Sequence, residues 1–221
     1  LMAHKGAYSG WDDLPNAPTV LISRDGQFSF WAWLTATQGF RDEQLRPYGF
    51  NLAQFLSDQT IVQQGYATSE PLYAAAQGVD VDVFMLADYG WSTYSTTVET
   101  RTDLVEQNPD LVQRFMDASI IGWYNFLYGD RTGAYELIMR DNADATVESL
   151  DAQLEQLMNL GIVDSGNALE KGIGAMDLAR VADFLRLSET AGIVPEGSVA
   201  LEKVATDRFV NKGVGLDLRK N

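Results

Sequence analysis

Apolar positions along this chain change their period about halfway. Before residue 100, short aliphatic and β-branched runs such as Thr19–Ile22 alternate with polar turns, whereas later apolar residues recur at three- and four-residue spacing over longer stretches. The first pattern predicts buried strands alternating with helices, and the second predicts amphipathic helices. The most informative stretch is 15–39, which reads as strand, turn and helix. Thr19–Ile22 is bounded by Pro18 and by the polar cluster Ser23, Arg24, Asp25 and Gly26. Phe28, Trp31 and Leu34 then fall on one helical face, Trp33 and Ala36 widen it, and Gly39 with Phe40 supplies a left-handed stop with its apolar contact. The turn lies at the carboxyl end of a strand and the amino end of a helix, where free N–H groups and the dipole favour a polar or anionic ligand atom. Ser23, Gln27 and Ser29 add side-chain donors there, although the same hydroxyls serve equally well as helix caps.

The rest of the chain repeats this logic once and then abandons it. Residues 45–50 read as an extended segment carrying Tyr48 and Phe50. Asn51 caps a short helix through Phe55 and Leu56, and 60–65 fits helix or loop alike. The stretch 65–78 is a second strand, turn and helix, with Thr68 or Ser69 as cap, Pro71 in the first turn and Gly78 as the stop. Glu70 stands at the mouth of that turn, placed to accept from a ligand amine or amide, or merely to complement the helix dipole. An apolar strand at 81–86 runs into ADYGWSTYS, which is either a crossing strand between two lobes or an aromatic loop beside a pocket. Tyr89, Trp91 and Tyr94 there suit a planar ring or a core. A strand resumes at 96–100. Asn108 and Pro109 then open a helix whose stripe is Leu111, Val112, Phe115, Met116, Ser119, Trp123 and Phe126, down to Gly129. Thr146 opens another helix, with Leu150, Leu154 and Leu157 inward, 175–191 forms a third, and FVNKGVG at 209–215 reads as a loose tail. This order argues an α/β layer architecture with a mostly parallel sheet, followed by helical packing.

Composition narrows the chemistry. With 221 residues, 46% of them apolar, the chain can bury a real core in one large domain or two small ones. Acidic residues outnumber basic ones 31 to 16, a formal charge of −15, which disfavours nucleic acid and anionic membrane as partners. No apolar run is long enough to cross a bilayer. There is no cysteine, so disulfides, thiolate catalysis and cysteine-held metals are excluded. The sole histidine, His4, lies in a terminal segment with no second ligand at metal spacing; it is expected to be solvated and without a role. Phosphate loops, dinucleotide fingerprints, nucleophile elbows and HExxH are missing, and carboxylate pairs such as Asp88 with Glu70 arise by chance in so acidic a chain. Neither a catalytic set, a metal nor a cofactor is called for. What remains is recognition.

The pieces DGQFSFWAWL, RPYGFNLAQFLSD, IVQQGYATSEP, FMLADYG, QRFMDASIIGWYNFLYGD, GIVDSGNALEKGIGAM and FVNKGVG, in that order and spacing, resemble the solute-binding proteins of ABC importers. The likeness is to the group related to binders of thiamine pyrimidine precursor, nitrate, sulfonate and taurine, and it covers nearly the whole chain. It implies a periplasmic-binding-protein type II fold, a two-lobe Venus flytrap that closes on a small molecule and delivers it to an inner-membrane permease. It also implies an extracytoplasmic place, periplasmic or membrane-anchored, although 1–9 carries no signal-peptide pattern. Members of the group carry a further segment before the part matching Leu1, so the first lobe is expected to be incomplete here and to expose apolar surface without that segment. On this layout, 1–13 is connection and hinge, 14–87 the second lobe, 88–94 hinge, and 95–221 the remainder of the first lobe. Ser23, Gln27, Phe28 and Ser29 would then present donors and an aromatic wall from one turn, Ser69 and Glu70 would face them from the other, and Tyr89 and Trp91 would lie near the hinge. An aminopyrimidine or similar heterocycle suits a carboxylate with aromatic stacking best. A flavin comes next, and small anions such as a sulfonate come last because Glu70 repels them. The same superfamily holds a fungal enzyme that makes the thiamine pyrimidine and carries a cysteine-rich motif. That motif is absent here, which favours a binder over an enzyme.

Overall fold

A computed structural model describes residues 1–219; residues 220 and 221, the end of the expected last segment, lie outside the described residues. From the amino end come β1 (Met2–His4), β2 (Thr19–Ile22), α1 (Arg24–Gln27), α2 (Phe30–Thr37), β3 (Leu45–Pro47), α3 (Ala53–Ser57), β4 (Ile61–Gln63), α4 (Glu70–Ala76) and β5 (Val81–Val83). Helices follow: α5 (Thr102–Gln107), α6 (Pro109–Tyr128), α7 (Thr132–Asp141), α8 (Val147–Asn159), α9 (Ala168–Lys171), α10 (Leu178–Thr190) and α11 (Leu201–Val204). Two compact units result, one made of Leu1–Thr93 with Ala179–Val204, the other of Tyr94–Leu178 with the described residues from Ala205 on.

The first unit is built on one mixed sheet of order β3-β2-β4-β1-β5. Strand β2 pairs in parallel with β3 and with β4, while β1 runs antiparallel to both β4 and β5. Four of the five strands, β2, β3, β4 and β5, therefore run in one direction, as the expectation of a mostly parallel sheet requires, and β1 is the exception. Strand direction is set by where the chain enters the sheet, and a three-residue apolar run at Met2–His4 carries no mark of it. Side chains alternate across the pleat. Val20, Ile22, Val62 and Ala3 meet Trp31, Trp33 and Leu34 of α2 on one face; Leu21, Met2 and Ile61 meet Phe55 of α3 and Ala74 of α4 on the other. Each face is therefore covered by its own helices, the arrangement of an α/β layer protein.

Local signals placed α2 and α3 as expected. Gly39 stops α2 at φ 79°, and buried Phe40 returns its N–H to the Leu34 carbonyl. Asn51 Oδ1 accepts from the Ala53 N–H at 2.7 Å at the head of α3. The expected single helix after β2 is in fact two, because the chain bends between Phe28 and Ser29. His4 is not solvated: it lies buried on β1, its ring stacks on Phe55 at 4.5 Å, and its Nε2 donates to the Phe55 carbonyl at 2.7 Å. The strand expected at 96–100 is absent from the described secondary structure, and the run stays exposed with no strand beside it.

The second unit is helical. Asn108 caps α6 by accepting from the Leu111 N–H at 3.3 Å, and Pro109 takes the first position. The core is formed by Ile120, Tyr124 and Leu127 of α6 with Leu154 of α8 and Ile173. These three α6 residues lie on a different face from Phe115 and Trp123 of the expected stripe, which remain exposed. Arg219 grips Asp164 through two hydrogen bonds, one of 2.8 Å from Nε, and Tyr128 Oη donates to the same carboxylate at 2.7 Å. Among the described residues no helix is long and apolar enough to cross a membrane.

Candidate functional site

Strand order marks one place in the sheet. The chain leaving β2 passes through α1 and α2 to β3 on one side, whereas the chain leaving β4 passes through α4 to β5 on the other. Since β2 and β4 are parallel neighbours, their outgoing connections diverge at the carboxyl ends, the usual ligand position in open α/β sheets. Both predicted turns stand at this point. They are tied together by Gln64, whose Oε1 accepts from the Ser23 N–H at 2.8 Å while its own N–H donates to the Leu21 carbonyl at 2.9 Å.

Most side-chain donors of the first turn serve the turn itself. Ser23 is buried and its Oγ accepts from the Gly26 N–H at 3.2 Å, a helix cap. Gln27 Nε2 donates to the Ile22 carbonyl at 3.3 Å, and Ser29 Oγ donates to the Asp25 carbonyl at 3.1 Å. Gly26 is sterically required: a Cβ there would stand 2.7 Å from Phe30 Cζ and 2.8 Å from both Gln64 Oε1 and Ile22 Cγ2. Phe28, in contrast, is 72% exposed.

The second turn is organised by Glu70, which is buried at the start of α4. Its Oε1 accepts from Tyr48 Oη at 3.0 Å and its Oε2 from the Tyr66 N–H at 2.8 Å. Burial and the adjacent carboxylate together push the Tyr48 phenol well above its ordinary range, so this hydroxyl stays a donor. Ser69 sits at the cap position without making a side-chain cap bond. Glu70 is thus a bridge between the segment after β3 and the segment after β4, with each oxygen already engaged.

Of the exposed aromatic rim, sequence reasoning named Phe28 and missed Phe50 and Tyr66. Phe28, Phe50 and Tyr66 are 72%, 69% and 61% exposed, and each lies on the connection leaving the carboxyl end of a parallel strand, β2, β3 and β4 respectively. A signal for two of them was present, since Gly49-Phe50 and Gly65-Tyr66 are the same glycine and aromatic pair shortly after an extended run. Tyr89 and Trp91 behave differently. Tyr89 lies flat on Trp11, with centroids 3.9 Å apart and 5° between planes, and buried Trp91 packs against Trp33 and, edge-on, Phe184. Ser29 and Trp91 nevertheless share the lining of an apolar cavity of about 300 Å³ with Val181, Phe184 and Leu185 of α10 and with Val204. Among the described residues no group of three or more histidine or carboxylate side chains is disposed to hold a metal ion.

Residues 32–128 match the family described as NMT1/THI5 like. The chain is also 28% identical over 211 residues to the riboflavin-binding protein RibY of Chloroflexus aurantiacus, an alignment that takes in 91% of this chain and 58% of that protein. The chain therefore spans less than two thirds of that relative's length. No solved structure matches. Both matches support the expected resemblance to the solute-binding proteins related to binders of thiamine pyrimidine precursor, nitrate, sulfonate and taurine.

Proposed function

We propose that this chain, a relative of the NMT1/THI5-like group, forms the ligand-capturing part of a solute-binding protein serving an ABC importer, and that its ligand is an uncharged planar nitrogen heterocycle. The observation that carries this reading is the row of three exposed aromatic side chains at the carboxyl ends of adjacent parallel strands, where exposure of such rings calls for a partner and the strand order marks the usual place of a ligand. The reading includes the two-lobe type II architecture and an extracytoplasmic place, periplasmic or anchored, and involves no bond made or broken. It is supported by the α/β sheet and by the family match.

Within the heterocycles, an isoalloxazine ring moves ahead of a thiamine pyrimidine precursor. The case for an aminopyrimidine rested on Glu70 as a free acceptor, and that carboxylate is occupied by Tyr48 and Tyr66. A flavin needs no counter-charge, has a large stacking face, and is the ligand for which the relative RibY is named. The aminopyrimidine stays as the second reading because Glu70 lies at the same rim. The test is titration of the chain with riboflavin, followed by quenching of flavin fluorescence, beside calorimetry with an aminopyrimidine. Saturable quenching is expected; neither quenching nor heat with either compound overturns the proposal.

A further inference from the structure

Two non-glycine residues among those described have positive φ, Phe50 at 58° and Asn211 at 62°. Asparagine tolerates this left-handed region, and Asn211 is further held there, its side chain accepting from the Met176 N–H at 3.0 Å and donating to the Met176 carbonyl at 2.8 Å. Phe50 has neither excuse. A bulky L side chain in this region is an outlier that glycine would relieve, and the ring is 69% exposed, so its burial does not offset the strain. Its ring meets that of Tyr48, with centroids 5.1 Å apart at 46°. Through Tyr48 it joins a continuous chain of contacts: Tyr48 Oη to Glu70, and Glu70 to the backbone of Tyr66. Two exposed rings, Phe50 and Tyr66, therefore stand at the two ends of one buried bridge, each on the connection leaving a strand that pairs with β2.

We infer that Phe50 is a ligand-stacking residue, held in a left-handed backbone by the Tyr48–Glu70 bridge so that its ring, with that of Tyr66, clasps a planar heterocycle. This inference rests on the function proposed above and names a residue of that site. Local backbone strain at an exposed aromatic is what a binding role explains and a packing role does not.

The test compares Phe50→Gly, Phe50→Asn and Phe50→Tyr in the full chain, by thermal midpoint without ligand and by riboflavin quenching. Glycine and asparagine both accept positive φ, so neither is expected to lower the midpoint, while each weakens riboflavin at least about fivefold; tyrosine keeps the affinity. Riboflavin bound by both ringless variants as tightly as by the parent overturns the assignment of Phe50 and leaves the proposed function standing. A midpoint clearly lowered by Phe50→Gly overturns it as well, since the ring would then be a packing element. Absence of binding by the parent chain to riboflavin and to the aminopyrimidine removes both.

Discussion

Replacing Glu70 separates a side chain that holds the fold from one that holds the ligand. The carboxylate is 7% exposed and accepts two hydrogen bonds, from Tyr48 Oη at 3.0 Å and from the Tyr66 N–H at 2.8 Å. Hydrogen bonds to a charged group contribute about 1.5–3 kcal/mol each, so Glu70→Ala is expected to cost about 3–6 kcal/mol, with the hydroxyl of buried Tyr48 left without its acceptor. For a chain of this size, about 2–4 °C of midpoint accompanies each kcal/mol, which predicts a fall of roughly 6 °C or more. Glu70→Gln is the informative control. Its Oε1 accepts from Tyr66, its amide donates to the Tyr48 oxygen, and two neutral bonds survive at roughly half strength, for a loss of about 1–2 kcal/mol. Thermal unfolding followed by tryptophan emission gives the order parent, Gln, Ala. Riboflavin affinity of the Gln variant should stay within about threefold of the parent, because no ligand charge is matched there. An alanine variant as stable as the parent refutes the bridge. A Gln variant of near-parent stability that loses more than about tenfold in affinity returns Glu70 to the role of direct acceptor.

Two further outcomes follow from single contacts. Gly26→Ala places a methyl within 2.8 Å of Gln64 Oε1 and 2.7 Å of Phe30 Cζ, an overpacking expected to cost about 1–3 kcal/mol and to loosen the Ser23–Gln64 tie between the turns; a midpoint equal to the parent's in a melting scan would count against the tightness described. For Asp164, burial works to raise the pKa, but hydrogen bonds from Arg219 and Tyr128 and the Arg219 charge outweigh it and bring the net value below 3.8. The folded pKa thus lies under the unfolded one, so the carboxylate's stabilisation is fully present above about pH 4 and is lost as pH falls through the lower folded value. Urea midpoints between pH 2 and 6 should drop less steeply in Asp164→Asn than in the parent, and parallel acid limbs would exclude the effect.

Local chemistry made much of the fold legible. The β-branched run at Thr19–Ile22, the glycine after α2, and the Asn108-Pro109 start of α6 act within a few residues of themselves, and each element formed where those signals lie. What failed was decided by partners far along the chain. Helix α6 is apolar on more than one side, and the choice of Ile120, Tyr124 and Leu127 over Phe115 and Trp123 as its inward face depends on where α8 and Ile173 come to rest. His4 was misjudged for the same reason, since only the pairing of β1 with β4 and β5 draws it under Phe55.

The candidate site shows the same division, with an added difficulty. Ser23, Gln27, Ser29 and Glu70 were selected because they donate or accept hydrogen bonds beside a helix start, and any group able to do that for a ligand can do it for its own backbone. The structure finds all four so engaged. Hydrogen-bonding capacity at a turn therefore discriminates poorly between capping and binding. Exposure of a large aromatic discriminates better, because nothing inside the fold is gained by it. Yet Phe28, Phe50 and Tyr66 are spread over nearly forty residues, and only the parallel register of β3, β2 and β4 sets them along one edge. The feature of a single sequence that bears on such a rim is a glycine and aromatic pair recurring just after successive strands, and it becomes meaningful only once those strands are known to run the same way.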